Sequence, residues 1–315
     1  MSADWTEEGR HMDGSEGIRR PHVLFGYDGT LENDDALRWA VEEARRRDLD
    51  LVICHCWHWP YASGHEDPDA EAIMKRAGEN LLERGVRRAR RLGAPGTVRR
   101  RLMRGPVTEA LLHASGAAEL LVIGSNDRLE EGATALEVPA RSERPVIVVA
   151  GGRSRPRLVV VGTDGTAGCD SALGFAFVEA ALRGWGLHVV YGCWEPAAVS
   201  EPELALFNDR ELLEKTRAAE LEEAVAPWRE RRPEVDVTVS LLLERPSEVL
   251  RDAADGAGLL VLGDRGTGSE RLGATSSGML REARCPVAVV PGRHSRDAWA
   301  HTFDRDTAPD DWPVQ

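Results

Sequence analysis

The sequence predicts an α/β protein made of two tandem, doubly wound domains, each holding a five-stranded parallel sheet. An apolar run closed by Gly-x-Asp-Gly-Thr stands at 23–30 and again at 159–166, every position offset by 136 residues. The offset persists beyond the motif: Ala36 and Leu37 return as Ala172 and Leu173, Ala40 as Ala176, and Glu43 and Ala44 as Glu179 and Ala180. A period of this length is too long for a solenoid unit and suits a whole small domain. Each copy also opens with strand, helix and strand, and its strands are continuously apolar, which calls for a parallel sheet covered on both faces. Finally, 315 residues are enough for two cores.

The elements follow in order. Residues 21–28 read as a buried strand entering a tight turn at Asp28-Gly29, and Asn33 or Asp34 can cap a helix whose buried stripe is Leu37, Ala40, Val41 and Ala44. Residues 51–57 form a second strand, and a polar loop over 58–69 leads into a long helix through Ile73, Ala77, Leu81, Val86 and Ala89. Strands at 98–102, 120–123 and 145–149 complete the copy, with a helix over 108–118. The second copy places strands at 158–161, 187–191, 235–243, 259–262 and 286–290, with helices from Ser171, to about Trp228 and from Ser247. Segment 151–157, with Gly-Gly and Pro156, reads as a linker between domains at 21–150 and 158–292, and the polar ends 1–20 and 293–315 as mobile tails.

The chain is acidic, with 53 Asp and Glu against 40 Lys and Arg and a net charge of -13. That balance argues against a general nucleic-acid binder, which needs a basic face, and leaves small ligands and other proteins as partners. Its apolar runs fall far short of the roughly 20 residues that cross a bilayer, and no charged and apolar leader opens it, so a cytoplasmic protein without a membrane partner is expected. Five cysteines (Cys54, Cys56, Cys169, Cys193 and Cys285) are an odd number without framework spacing, which suits reduced thiols.

In an open parallel sheet, ligands sit beyond the carboxyl ends of the strands, where loops and helix N-termini converge. That selects Asp28-Gly29-Thr30 and Asp164-Gly165-Thr166 after the first strand of each copy, and the loops after the fourth: Gly124 to Asp127, and Gly263 to Gly268. Three glycines in the latter six residues can turn backbone N–H groups toward a phosphate, or can simply make a turn.

On these residues both copies resemble the universal stress protein family, over roughly 21–150 and 156–292. The stretch Leu259 to Gly266 and the Ala-Arg-Cys-Pro-Val run at 283–287 match the family's wording closely. The resemblance implies an adenine-nucleotide α hydrolase-like, Rossmann-like fold and a role in stress response. It also implies ATP, with or without Mg2+, as a regulatory ligand hydrolysed at most slowly. Nucleotide-binding members carry Gly-x2-Gly-x9-Gly-Ser/Thr after strand four. Counting back thirteen residues from Pro286 and Pro145 gives Gly273-Ala274-Thr275 and Gly132-Ala133-Thr134, so both copies have Ala in place of the phosphate-binding hydroxyl. The spacing is short in both, and Asp127 replaces a glycine in the first, where it would repel a triphosphate. A lost hydroxyl removes one hydrogen bond, about 0.5–1.5 kcal/mol, which a neighbouring threonine can partly restore.

Carried over residue by residue, the resemblance puts Asp164, Gly192 and Cys193 at base and ribose, Leu262 and Gly263 under the adenosine, and Gly266 with Gly273, Ala274 and Thr275 at the phosphates. Arg265 and Gly268 flank that loop, where the arginine could neutralise phosphate charge. Asp28, Ile123, Gly124, Gly132, Ala133 and Thr134 are the corresponding positions of a degenerate first site. Either aspartate can equally be a turn residue satisfied by its own backbone. The resemblance further implies an intramolecular pseudo-dimer paired through 146–149 and 287–290, and leaves room for a homodimer. The reading from another class is a scaffold or interaction protein that binds no nucleotide. Neither a nucleophile elbow nor a carboxylate pair points to a catalytic residue. Cys54-His55-Cys56-Trp57-His58 suggests a metal, but alternation along a strand puts the two cysteines and His55 on opposite faces, and Cys56 is expected to pack as a small buried hydrophobe.

Overall fold

The computed structural model describes residues 20–30, 33–59, 67–125, 133–150, 156–165, 169–193, 210–264 and 272–292. Residues 151–155 of the expected linker at 151–157, residues 1–19 of the expected tail at 1–20 and the expected tail at 293–315 lie outside the described residues. The first half runs β1 (His22–Gly26), α1 (Asp34–Arg47), β2 (Asp50–Trp57), α2 (Pro68–Arg91), β3 (Val98–Arg104), α3 (Val107–Ser115), β4 (Leu120–Ser125), α4 (Thr134–Arg141) and β5 (Val146–Ala150). The second runs β6 (Leu158–Gly162), α5 (Asp170–Arg183), β7 (Gly186–Gly192), α6 (Arg210–Arg231), β8 (Val237–Leu242), α7 (Pro246–Asp255), β9 (Leu259–Gly263), α8 (Ala274–Glu282) and β10 (Val287–Val290). Among the described residues no helix is long and apolar enough to cross a membrane.

One ten-stranded sheet carries both halves, in the order β3-β2-β1-β4-β5-β10-β9-β6-β7-β8. Strands within each half are parallel, and the halves meet through an antiparallel pair that sets Val148 opposite Val287, Ile147 opposite Ala288 and Val146 opposite Val289. These short Val-rich strands are buried on both faces, so pairing them hides two edges that would otherwise invite aggregation. Side chains alternate between two apolar layers. Val23, Phe25, Val159 and Val161 pack with α1, α2, α5 and α6, while Leu24, Val160, Leu121 and Leu260 pack with α3, α4, α7 and α8.

The layer between α1 and α5 also contains charge. Glu43 and Arg47, one turn apart on α1, recur at the 136-residue offset as Glu179 and Arg183 on α5, and none of the four side chains touches solvent. Within each helix the pair closes at 3.2 Å (Arg47 Nε to Glu43) and 2.9 Å (Arg183 Nε to Glu179). Across the junction Arg47 donates to Glu179 and Arg183 to Glu43. Arg47 reaches a further carboxylate, Glu119, at 3.1 Å, whereas Nη1 of Arg183 is buried without an acceptor among the described residues. Burial opposes the charge on Arg47, but Glu179, Glu43 and Glu119 outweigh it and raise its pKa above the ordinary value. A ring of two cations and two anions is neutral overall, which makes its burial tolerable. Removing one member would strand a charge.

The expected cap of α1 is not made. Asn33 has helical dihedrals and no side-chain cap bond; its amide lies instead against Gly124 at the end of β4. At the other end of the helix Asp48 adopts the left-handed conformation (φ 51°), the position that Gly184 fills on α5 (φ 61°).

Candidate functional site

Strand order reverses at β1/β4 in the first half and at β6/β9 in the second, and the carboxyl ends of these strands are where an open α/β sheet of this kind takes a ligand. In the first, β1 leads through Tyr27, whose N–H donates to Cys54 O at 2.8 Å, into a turn at Gly29 with φ +81°. Asp28 is exposed and accepts from both the N–H (2.9 Å) and the hydroxyl (2.8 Å) of Thr30, which is the self-satisfied turn aspartate. Leu81 of α2 lies over Gly29, where a Cβ would come within 2.7 Å of it.

The second turn is built differently. Gly165 (φ +74°) donates to the Thr163 hydroxyl at 3.1 Å, and Asp164 accepts from the Cys169 thiol at 3.0 Å. Burial, followed by the nearby Asp164 carboxylate, pushes the Cys169 thiol up to about 12, so it remains a neutral donor. The Tyr191 ring stands beside Gly165, and burial raises its phenol to about 12. Next on the chain, Gly192 abuts Pro246, whose Cα would lie 2.8 Å from an added Cβ, and half-buried Cys193 donates its N–H to Leu242 O at 3.0 Å. Sequence reasoning named Gly192 and Cys193 but not Tyr191, although an aromatic at the carboxyl end of the second strand was a signal for it.

Beyond β9 the chain is stapled. Asp264 is buried; its N–H donates to Val290 O (3.0 Å), its carbonyl accepts from Gly273 N–H (3.1 Å), and its Oδ1 accepts from Gly292 N–H (3.0 Å). The intervening residues, including Arg265, Gly266 and Gly268, lie outside the described residues, but both ends of their loop are fixed. Gly263 follows buried Leu262 and accepts from the Ser276 hydroxyl at 2.9 Å, which ties the first turn of α8 to the end of β9. Gly273 is the N-cap of α8 without a side-chain cap, followed by Ala274 and Thr275, and the first turn holds no acidic residue.

The corresponding first-half elements are buried Ile123, then Gly124 under the Asn33 amide, then Ala133 and Thr134 opening α4. Gly132 and Asp127 lie outside the described residues. Here the first turn of the helix carries Glu137, which accepts from the Thr108 hydroxyl at 3.0 Å. A helix N-terminus attracts anions, and a carboxylate in that turn offsets the attraction. The structure therefore brings the described second-half residues to the ends of neighbouring strands β7, β6 and β9, beside a helix whose first turn carries no acid, and the described first-half residues to one whose first turn already holds an acid. Among the described residues no group of three metal-ligating side chains occurs.

The sequence model of the Universal stress protein family matches residues 20–150 and, separately, 156–291. The chain belongs to the universal stress protein family. As a tandem member it is 29% identical over 290 residues to a universal stress protein of Mycolicibacterium smegmatis, covering 86% of this chain and 97% of the relative. It is 28% identical over 292 residues to universal stress protein Rv2005c of Mycobacterium tuberculosis, covering 86% and 98%. Among solved structures, a universal stress protein from Archaeoglobus fulgidus shares the fold with a TM-score of 0.66 at 17% identity, covering 88% of this chain and 98% of that one.

Proposed function

We propose that this tandem universal stress protein binds an adenine nucleotide, ATP or a close relative, in its second domain (158–292), and that its first domain (21–150) serves as a structural partner with a degenerate crevice. The observation that carries this reading is the contrast between the helices after the fourth strands. The N-terminus of α8 has no side-chain cap and no acid in its first turn, and Asp264 bonds to Gly273 at its start. By comparison α4 carries Glu137 in its first turn.

In this reading the N-terminus of α8 and the glycine loop face the phosphates, with Asp164, Gly192 and Cys193 toward the base and ribose. Any Mg2+ would arrive with the phosphates. Because β5 and β10 already pair within the chain, no second copy is required. All five cysteines are unbridged, which suits a reducing cytoplasm.

The test is equilibrium binding of labelled ATP to the full chain and to two charge variants. Thr275→Glu puts an anion at the N-terminus of α8 and is expected to abolish binding, while Thr134→Glu on α4 is expected to leave it unchanged. Absence of binding to the unmodified protein at millimolar ATP would favour the scaffold reading.

A further inference from the structure

The Cys-x-Cys on β2 has no part in the nucleotide reading, and its surroundings suit thiol chemistry. Cys54 is buried, and Cys56 packs half-buried against the same apolar layer. The two side chains emerge on the same face of β2 and lie in the layer that holds Leu111 and Met103, within hydrogen-bonding reach of one another. The parallel register sets Arg101 of β3 beside Cys54 and Met103 beside Cys56, which places the arginine on the thiol face. Arg99, Arg100 and Arg104 on the same strand pair with Asp50, Glu83 and Glu71. Arg101 makes no ion pair among the described residues.

We propose that Cys54 and Cys56 form a peroxide-responsive dithiol that closes an intrastrand disulfide. The Cys56 thiolate attacks one oxygen of a hydroperoxide such as hydrogen peroxide; the O–O bond breaks, a sulfenic acid forms on Cys56 and hydroxide leaves. Cys54 sulfur then attacks Cys56 sulfur, the S–O bond breaks, and the Cys54 proton leaves with the hydroxyl as water. Two thiols lose two electrons in all, and one peroxide becomes two waters.

The order of events follows from the environment. Donation from Cys54 stabilises the Cys56 thiolate and lowers its pKa below the ordinary thiol value, against burial and with help from Arg101. The same donation, reinforced by burial, raises Cys54, which makes it the resolving partner. Residues two apart in an extended strand have Cα atoms, and Cβ atoms on one face, about 6.6–6.8 Å apart, whereas a disulfide holds its Cβ atoms about 3.5–4.5 Å apart, so β2 must buckle by about 2 Å or more. It can do so at this place. The β1–β2 register ends at Gly26 opposite Cys54, so beyond it Cys56 is held by β3 alone. The bond would then pull on Cys54 O, which accepts from Tyr27, and on His55, whose ring is 2.8 Å from Tyr27 O.

The experiment treats the full-length protein with hydrogen peroxide, alkylates under denaturing conditions and maps the peptides by mass spectrometry. The expected result is the loss of two alkylatable thiols and a peptide containing both Cys54 and Cys56 that is lighter by two hydrogens. In Cys54→Ser, Cys56 stops at a sulfenic acid that dimedone traps; in Cys56→Ser, Cys54 stays reduced. Arg101→Gln, a half-exposed change that leaves both thiols in place, slows the first step several-fold. Oxidation of Cys56 with Cys54 still alkylatable in the unmodified protein, oxidation of Cys54 in Cys56→Ser, or a bridge to another cysteine would each overturn the proposal.

Discussion

Trp39 and Phe175 occupy the same position in the two copies, and each ring carries the guanidinium of the opposite copy's arginine: Arg183 lies 4.2 Å from the Trp39 centroid and Arg47 lies 5.6 Å from that of Phe175. The same symmetry joins Arg46 to its own repeat mate's neighbourhood, where it donates to Leu182 O at 3.1 Å. The two halves are thus locked by reciprocal contacts that no single copy can make alone.

Arg183→Met leaves Glu43 and Glu179 buried with Arg47 as their sole guanidinium partner. A loss of about 3–5 kcal/mol is expected in urea unfolding monitored by fluorescence and circular dichroism. Combining it with Glu43→Leu restores neutrality around the remaining Arg47–Glu179 pair and is expected to recover most of that loss. Equal destabilisation by the single and double variants would show that packing, and not the stranded charge, is what matters.

Asp48 ends α1 in the left-handed region and also places a negative charge at a helix C-terminus. Both features disfavour the native state, whereas Gly184 at the equivalent position meets neither cost. Asp48→Gly is expected to stabilise the protein by about 0.5–1.5 kcal/mol, read as a rise in thermal midpoint.

Gly192 has a packing reason of its own. A Cβ there would stand 2.8 Å from Pro246 Cα and 3.2 Å from Glu244 O, and backbone cannot step aside as a side chain would. Gly192→Ala is expected to cost about 1–3 kcal/mol in calorimetry. Gly278, with nothing within 4 Å of an added Cβ, is the control, and alanine there is expected to be neutral or mildly stabilising.

His22 is buried, its Nδ1 faces Arg20 O at 3.1 Å, and its Nε2 has no partner among the described residues. Burial lowers its pKa below the ordinary histidine value of 6.5, with Arg101 and Arg99 adding to the effect against the Arg20 carbonyl. His188 is lowered by burial as well. With a depressed folded-state pKa, the unfolded chain takes up the proton first. Stability is therefore fully present above about pH 6.5 and falls as the pH drops from there through the folded-state value. His22→Phe is expected to flatten the slope of unfolding free energy against pH between about 6.5 and 5, even if it shifts the curve as a whole.

Much of the fold was legible because burial on both faces leaves a plain mark. The Val-rich runs at 158–161 and 286–290 could hardly be anything but interior strands, and the Gly-x-Asp-Gly-Thr repeat located both turns. The site was legible to the level of which strand ends meet. The role of Asp264 was not, because two of its three partners, Val290 and Gly292, lie on a segment remote in sequence. The charged ring is readable in part: Glu43 and Glu179 stand in the repeated stripe, and the same offset four residues further on pairs Arg47 with Arg183. What hid them is the prior that arginine and glutamate face water, which fails when charges can neutralise one another across a symmetric junction.

The antiparallel meeting of β5 and β10 has one more consequence. It turns the second half upside down relative to the first, so the two sets of strand ends open on opposite rims of the slab, and a small ligand seated at one rim is out of touch with the other. Any message between the rims must cross the thickness of the protein, through strands or through the α1–α5 junction, and a molecule that grips both would have to reach around the outside.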